Sequence, residues 1–114
     1  MSFKPEELPL IESYVKRYCN KRNKPEIYDE LHLEYEIDNQ SIILLEVRPH
    51  WQDPSRQIRS AFAKMRFVRS FKKWELYWKR QNLKWHQYDP FPESDSYVTL
   101  LDVIDEDQHG CFYG

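Results

Sequence analysis

Apolar side chains near the start of the chain recur at the spacing of an α-helix. They occupy positions i, i+3, i+4 and i+7 of one helical face, namely Ile11, Tyr14, Val15 and Tyr18. Pro5 and Pro9 fall near the start of this segment, where a missing N–H donor is tolerated. The pattern predicts a first helix over about residues 6 to 22.

Between residues 30 and 38 the period changes to strict alternation. Leu31, Leu33, Tyr35 and Ile37 fall on one face, and His32, Glu34, Glu36 and Asp38 fall on the other. Alternation of this kind is typical of a strand with one buried face, so His32 is expected to be solvated. Turn-forming residues follow, and the apolar run from Ile42 to Arg48 predicts a second strand that completes a hairpin.

The segment from Ile58 to Arg69 fits both a helical and an alternating pattern. We interpret it as a strand because the residues after it alternate clearly. Apolar Trp74, Leu76, Trp78, Leu83 and Trp85 interleave with polar residues or tyrosine. Short links at residues 70–73 and 80–82 then predict a three-stranded meander, with the three tryptophans of this region in the core.

Helical spacing returns near the C-terminus. The residues that carry it are Tyr97, Leu100, Leu101 and Ile104. Ser94 or Asp95 is the expected N-cap of this second helix, and Gly110 is the expected stop. Residues 1–114 are therefore predicted to form a single α+β domain. Its architecture is a mostly antiparallel five-stranded sheet flanked by an N-terminal and a C-terminal helix.

The composition narrows the class of protein without indicating an activity. Of the 114 residues, 40% are hydrophobic and 16% are aromatic, which suffices for a folded core. The chain has two glycines, Gly110 and Gly114, which excludes a glycine-rich phosphate loop or a dinucleotide fingerprint upstream. The longest aliphatic run, Ile42 to Leu45, is short and no signal segment precedes it, so a cytoplasmic protein without membrane association is predicted. Cys19 and Cys111 are then expected to remain thiols.

Charge is distributed unevenly, although the net charge of the chain is only −2. From Arg56 to Lys84 there are ten basic residues and one acid, Glu75. If both helices cover one face of the sheet, the other face presents cations for phosphates beside flat side chains for stacking. The predicted nucleic-acid-binding residues are Lys64, Arg66, Tyr77, Lys79, Lys84, His86 and Tyr88. The expected partner is single-stranded nucleic acid.

Other interpretations of the same residues remain open. Acids of the first strand, Glu34, Glu36 and Asp38, share the predicted face and could neutralise Lys64 and Arg66 through cross-strand ion pairs. The aromatic content also fits a protein-interaction module or a homodimer. Binding through apolar aromatic residues persists at high salt, whereas phosphate binding collapses, so salt separates the two functions.

Catalytic and metal chemistry have weaker support. Asp38 followed by Glu46-Val47-Arg48 loosely matches the carboxylates and base of a Mg²⁺-dependent nuclease, but arginine replaces the lysine of that pattern. Histidine and cysteine spacings, including His109 with Cys111, match no metal-binding motif. We therefore predict no cofactor and no metal, and prefer a non-enzymatic role over an enzyme.

Two aromatic-rich segments carry a resemblance to a known family. They are WELYWKRQNLKWHQYDP at residues 74–90 and HGCFYG at residues 109–114. Both are similar to segments of a family of short bacterial proteins known only as a domain of unknown function. The resemblance implies a compact bacterial cytosolic domain that is a protein by itself. It implies no activity, cofactor or catalytic residue.

Overall fold

The computed structural model of the chain describes residues 3–80 and 82–113. In chain order the elements are α1 (Leu8–Arg22), β1 (His32–Asp38), β2 (Ser41–Pro49), β3 (Gln57–Val68), β4 (Lys73–Lys79), β5 (Trp85–Gln87), β6 (Glu93–Ser94) and α2 (Tyr97–Glu106). The predicted α+β class with terminal helices and five strands is confirmed, and β6 is a short addition. No helix in the described ranges is long and apolar enough to cross a membrane.

The sheet is an antiparallel meander with the strand order β1-β2-β3-β4-β5. β6 pairs with β4 beside β5, so β5 and β6 together border that strand. The ambiguous segment is a strand, as predicted, but it contains a β-bulge. Leu44 pairs with Ala63 and Leu45 pairs with Ala61, which leaves Phe62 as the extra residue of β3.

The two helices cover one face of the sheet, and the main hydrophobic core lies between the helices and this face. Fully buried side chains in this core come from both helices and three strands: Val15, Ile42, Leu44, Met65, Leu76, Leu100 and Ile104. Each such side chain contributes about 1.5–3 kcal/mol by leaving water. We call this side of the sheet the helix-side face and the opposite side the outer face.

α1 buries a narrower stripe than its sequence predicts. Ile11, Val15 and Cys19 are buried, whereas Tyr14 is 39% exposed. The Tyr14 ring packs edge-on against Tyr97 of α2, with ring centroids 6.1 Å apart. Tyr14 therefore lies where the two helices meet at the surface and does not reach the sheet.

α2 begins one residue later than the predicted caps allow. Ser96 is the N-cap, and its hydroxyl accepts a hydrogen bond from the Val98 N–H at 3.1 Å. The helix ends at Asp107, which adopts the left-handed conformation with φ 45°. Its carboxylate accepts hydrogen bonds from the N–H groups of Phe112 and Tyr113, and this fixes the C-terminal tail against the domain.

A second, smaller apolar cluster lies on the outer face of β2. Leu45 and Val47 are 6% and 1% exposed, yet they project away from the helices. His32 lies opposite Val47 and is itself buried, so the prediction of a solvated His32 is wrong. Its imidazole stacks on Tyr28, with centroids 4.1 Å apart, and Nε2 lies 2.7 Å from a Glu34 carboxylate oxygen. The segment before β1 folds over the sheet and buries the histidine.

Candidate nucleic-acid interface

Four residues of β3, β4 and β5 form a cluster on the outer face. Lys64 is opposite Tyr77 across β3 and β4, and Lys79 is opposite Trp85 across β4 and β5. Residues directly opposite one another in antiparallel strands project to the same face, so all four side chains share one surface. We call Lys64, Tyr77, Lys79 and Trp85 the basic-aromatic patch.

Each ammonium group of the patch lies close to an aromatic ring. Lys79 Nζ is 5.3 Å from the ring centroid of Trp85. Lys64 Nζ is 5.7 Å from the Tyr77 ring and 5.9 Å from the Trp85 ring. These distances fall within the range of cation–π attraction. Trp85 thus lies between two positive charges on a half-exposed surface.

The patch keeps its positive charge. In the described part of the chain, no carboxylate oxygen lies within salt-bridge distance of Lys64 or Lys79. The nearest acid along β4 is Glu75, whose oxygen is 3.7 Å from Arg66 and accepts a 2.8 Å hydrogen bond from the Tyr77 hydroxyl. Burial and this hydrogen bond raise the pKa of Tyr77, so the phenol stays neutral beside the lysines.

Two acids of β1 form ion pairs with an arginine that the sequence pattern did not indicate as their partner. Arg59 bridges Glu34 and Glu36, reaching across β2 from β3. The hydrogen bond from His32, followed by that from Arg59, lowers the pKa of Glu34 and keeps it ionised. The alternative in which these acids pair with Lys64 and Arg66 does not occur among the described residues, because Arg59 pairs with Glu34 and Glu36 and Arg66 lies near Glu75.

Four of the predicted binding residues lie outside the patch. Tyr88 is 2% exposed and packs against Phe112 in the core, so its prediction as a stacking surface is wrong. His86 is opposite Trp78 and faces the helix side. Lys84 is exposed in the link before β5, where its N–H donates to the Asn82 side chain. Arg66 is on the outer face, as predicted, next to Glu75.

The register of the β4–β5 hairpin explains these differences. The link spans residues 80–84, which is longer than predicted, and Trp85 pairs with Lys79. Trp85 consequently lies on the outer face and Tyr88 on the helix-side face. The hydrophobic pattern predicts the opposite position for both residues. Leu83 adopts φ 62° in the link and is 75% exposed. The sequence contained one signal for this register. Lys79 alternates with apolar Trp78 and must face outward, so its cross-strand partner, Trp85, must face outward as well.

The residues of the nuclease-like pattern do not converge. Asp38 pairs with Ser41 at the hairpin turn, while Glu46 lies five residues further along β2, about 16 Å away at strand spacing. Glu46 forms an ion pair with Arg48 at 2.8 Å. Two carboxylates this far apart cannot hold one Mg²⁺ ion. Within the described residues, no group of three or more His, Cys, Asp or Glu side chains has metal-binding geometry.

Comparison with known proteins places the chain in a family. Residues 4–114 match the family model described as a domain of unknown function, DUF3024, and the chain belongs to that family. No curated protein and no solved structure gives a significant match. The family assignment agrees with the resemblance of the two aromatic-rich segments and carries no activity with it.

Proposed function

We propose that the basic-aromatic patch binds single-stranded nucleic acid. The observation that supports this proposal most directly is Trp85 lying between Lys64 and Lys79, neither of which is paired with a carboxylate in the described residues. Proteins that bind single strands combine aromatic surfaces for bases with cations for the backbone. The patch offers aromatic rings and ammonium groups within 5.9 Å of one another.

The roles of the four residues follow from their chemistry. Trp85 and Tyr77 provide flat surfaces on which bases stack, and each stacked base is worth about 1–3 kcal/mol. Lys64 and Lys79 extend to phosphates, which adds salt-dependent affinity without sequence information. The net charge of −2 argues against binding over the whole surface, so contact is limited to this face.

Fluorescence anisotropy with labelled single-stranded DNA and RNA tests the proposal at low salt. Trp85→Ala should weaken binding by about 1–3 kcal/mol because it removes a stacking surface. Trp51→Ala is the matched control, since Trp51 is 82% exposed in the β2–β3 link, away from the patch. Equal affinities for the two variants, or no binding by the unmodified protein at tens of micromolar, would refute the proposal.

Association with a protein, including a second copy of the chain, is the second candidate. Its support is the exposure of large apolar side chains at link positions, with Trp51, Phe71 and Leu83 each at least 75% exposed. Binding of this kind should persist as salt rises. Sedimentation velocity at low and high salt measures it independently of nucleic acid.

A further inference from the structure

A pocket opens on the outer face of the sheet at the β3–β4 turn. It has a volume of about 410 Å³ and is lined by Val68, Phe71, Lys73, Glu75 and Glu93. The turn places Phe71 at its tip, with 76% of the side chain exposed. The Phe71 ring therefore contributes an exposed aromatic surface to the lining of the pocket.

The pocket is also lined by two acids. Glu75 and Glu93 are directly opposite each other in the β4–β6 ladder. Like charges in such a pair destabilise the sheet. Lys73 is paired with Asp95, and no cation of the described chain lies within salt-bridge distance of Glu93. Arg66 offsets the charge of Glu75 at 3.7 Å, so Glu93 is the member of this pair that has no salt-bridge partner among the described residues. Its carboxylate can accept hydrogen bonds from a ligand in the pocket.

The pocket and the basic-aromatic patch belong to one surface. Glu75 precedes Tyr77 by two residues on the same face of β4, which separates them by about 7 Å along the strand. Arg66 is opposite Glu75 and lies between the pocket and Lys64. The pocket is therefore within reach of a nucleotide that neighbours one held at the patch. Carboxylates repel phosphates, so the part of a nucleotide that fits here is the base.

We propose that the pocket binds a guanine base, an inference that rests on the proposed function. Carboxylates only accept hydrogen bonds. Guanine presents two adjacent donors, N1–H and the N2 amino group, along its Watson–Crick edge. Adenine and cytosine place a ring-nitrogen acceptor beside their amino group, and thymine and uracil flank one N–H with two carbonyls. Guanine alone matches the acidic wall while its ring stacks on Phe71.

The first experiment compares two labelled oligonucleotides by fluorescence anisotropy: ten thymidines, and the same strand with one central guanine. The unmodified protein should bind the guanine strand about tenfold more tightly, as expected for a matched bidentate contact. Phe71→Ala and Glu93→Gln should abolish this preference and leave the affinity for the thymidine strand unchanged. Leu83→Ala is the matched control, because Leu83 is equally exposed on the neighbouring hairpin.

A second experiment separates failure of the pocket from failure of the patch. Free guanosine is titrated into isotope-labelled protein, and amide NMR shifts are followed at Val68, Phe71 and Glu93, with uridine as control. Shifts at these residues with guanosine alone support the pocket. Tight binding of both oligonucleotides without a guanine preference would overturn the guanine pocket and leave the proposed function standing. Guanosine shifts without oligonucleotide binding would overturn the proposed function but keep the base site.

Discussion

Burial of individual side chains decides which aromatic residues serve the core and which serve the surface. Tyr88 and Trp85 are three residues apart, yet Tyr88 is 2% exposed and Trp85 is half-exposed on the outer face. Composition cannot separate them, because both are large aromatic residues in one alternating run. Only the partner of each residue across β4 fixes its side of the sheet.

Tyr88→Ala should therefore destabilise the domain far more than Trp85→Ala. Removal of a buried aromatic ring leaves a cavity and costs about 3–5 kcal/mol, whereas truncation at the outer face costs much less. Urea denaturation monitored by circular dichroism gives the free energy of unfolding of both variants. A larger loss for Trp85→Ala would contradict the register of the β4–β5 hairpin.

The two cysteines should differ in reactivity for the same reason. Burial raises the pKa of the Cys19 thiol to about 11, and the negative charge of Glu34 adds to that effect. Cys111 lies in the half-buried tail, with a smaller rise in pKa from burial and Asp107. At pH 8, a disulfide reagent that reports thiols by absorbance should modify Cys111 first and Cys19 only after unfolding. Equal rates would show that the face of α1 that carries Cys19 is not buried against the core.

At the scale of elements, a side chain caps part of the exposed edge of the sheet at β1. The Asn23 amide, just after α1, accepts from the Leu33 N–H at 2.7 Å and donates to the Leu33 carbonyl at 3.2 Å. It thereby mimics a neighbouring strand at Leu33, near the start of β1. Exposed strand edges invite pairing with other chains, and such a cap blocks it.

Asn23→Ala should cost about 1–3 kcal/mol, because it leaves two backbone groups of Leu33 without partners. The Leu33 amide should then exchange with solvent faster. Asn23→Asp is the informative control, since a carboxylate still accepts from the N–H but cannot donate to the carbonyl. Native-state hydrogen exchange at Leu33 measures both, and protection unchanged in Asn23→Ala would refute the role of the cap.

Sequence patterns predict the elements well and their relative positions less well. Alternation identifies β1 and β4, and helical spacing identifies α1 and α2, because each of these elements buries one regular face. The apolar run identifies β2, which is buried on both faces. The bulge at Phe62 and the left-handed Leu83 are not visible in a hydrophobic pattern. These irregularities set the register of the strands, and the register determines which of the predicted binding residues lie on the outer face.

At the scale of the whole molecule, charge is separated by strand order. Arg59 bridges Glu34 and Glu36 of β1 at one side of the outer face, while Lys64 and Lys79 have no salt-bridge partner among the described residues at the other. A chain with a net charge of −2 thus carries two lysines without a carboxylate partner, among the described residues, on the β3–β5 side of its outer face. This asymmetry is the basis of the proposed function, and long-range pairing of Arg59 could not be predicted from residue spacing.

The most direct test of the central claim is the salt dependence of binding to labelled single-stranded DNA. Affinity of the unmodified protein should fall steeply between about 50 and 200 mM salt. Lys79→Gln should reduce the slope of log affinity against log salt by about one unit, because one phosphate contact is lost. Lys21→Gln, an exposed lysine at the end of α1, should leave the slope unchanged. An affinity independent of salt, or equal slopes for the two variants, would contradict phosphate binding at the basic-aromatic patch.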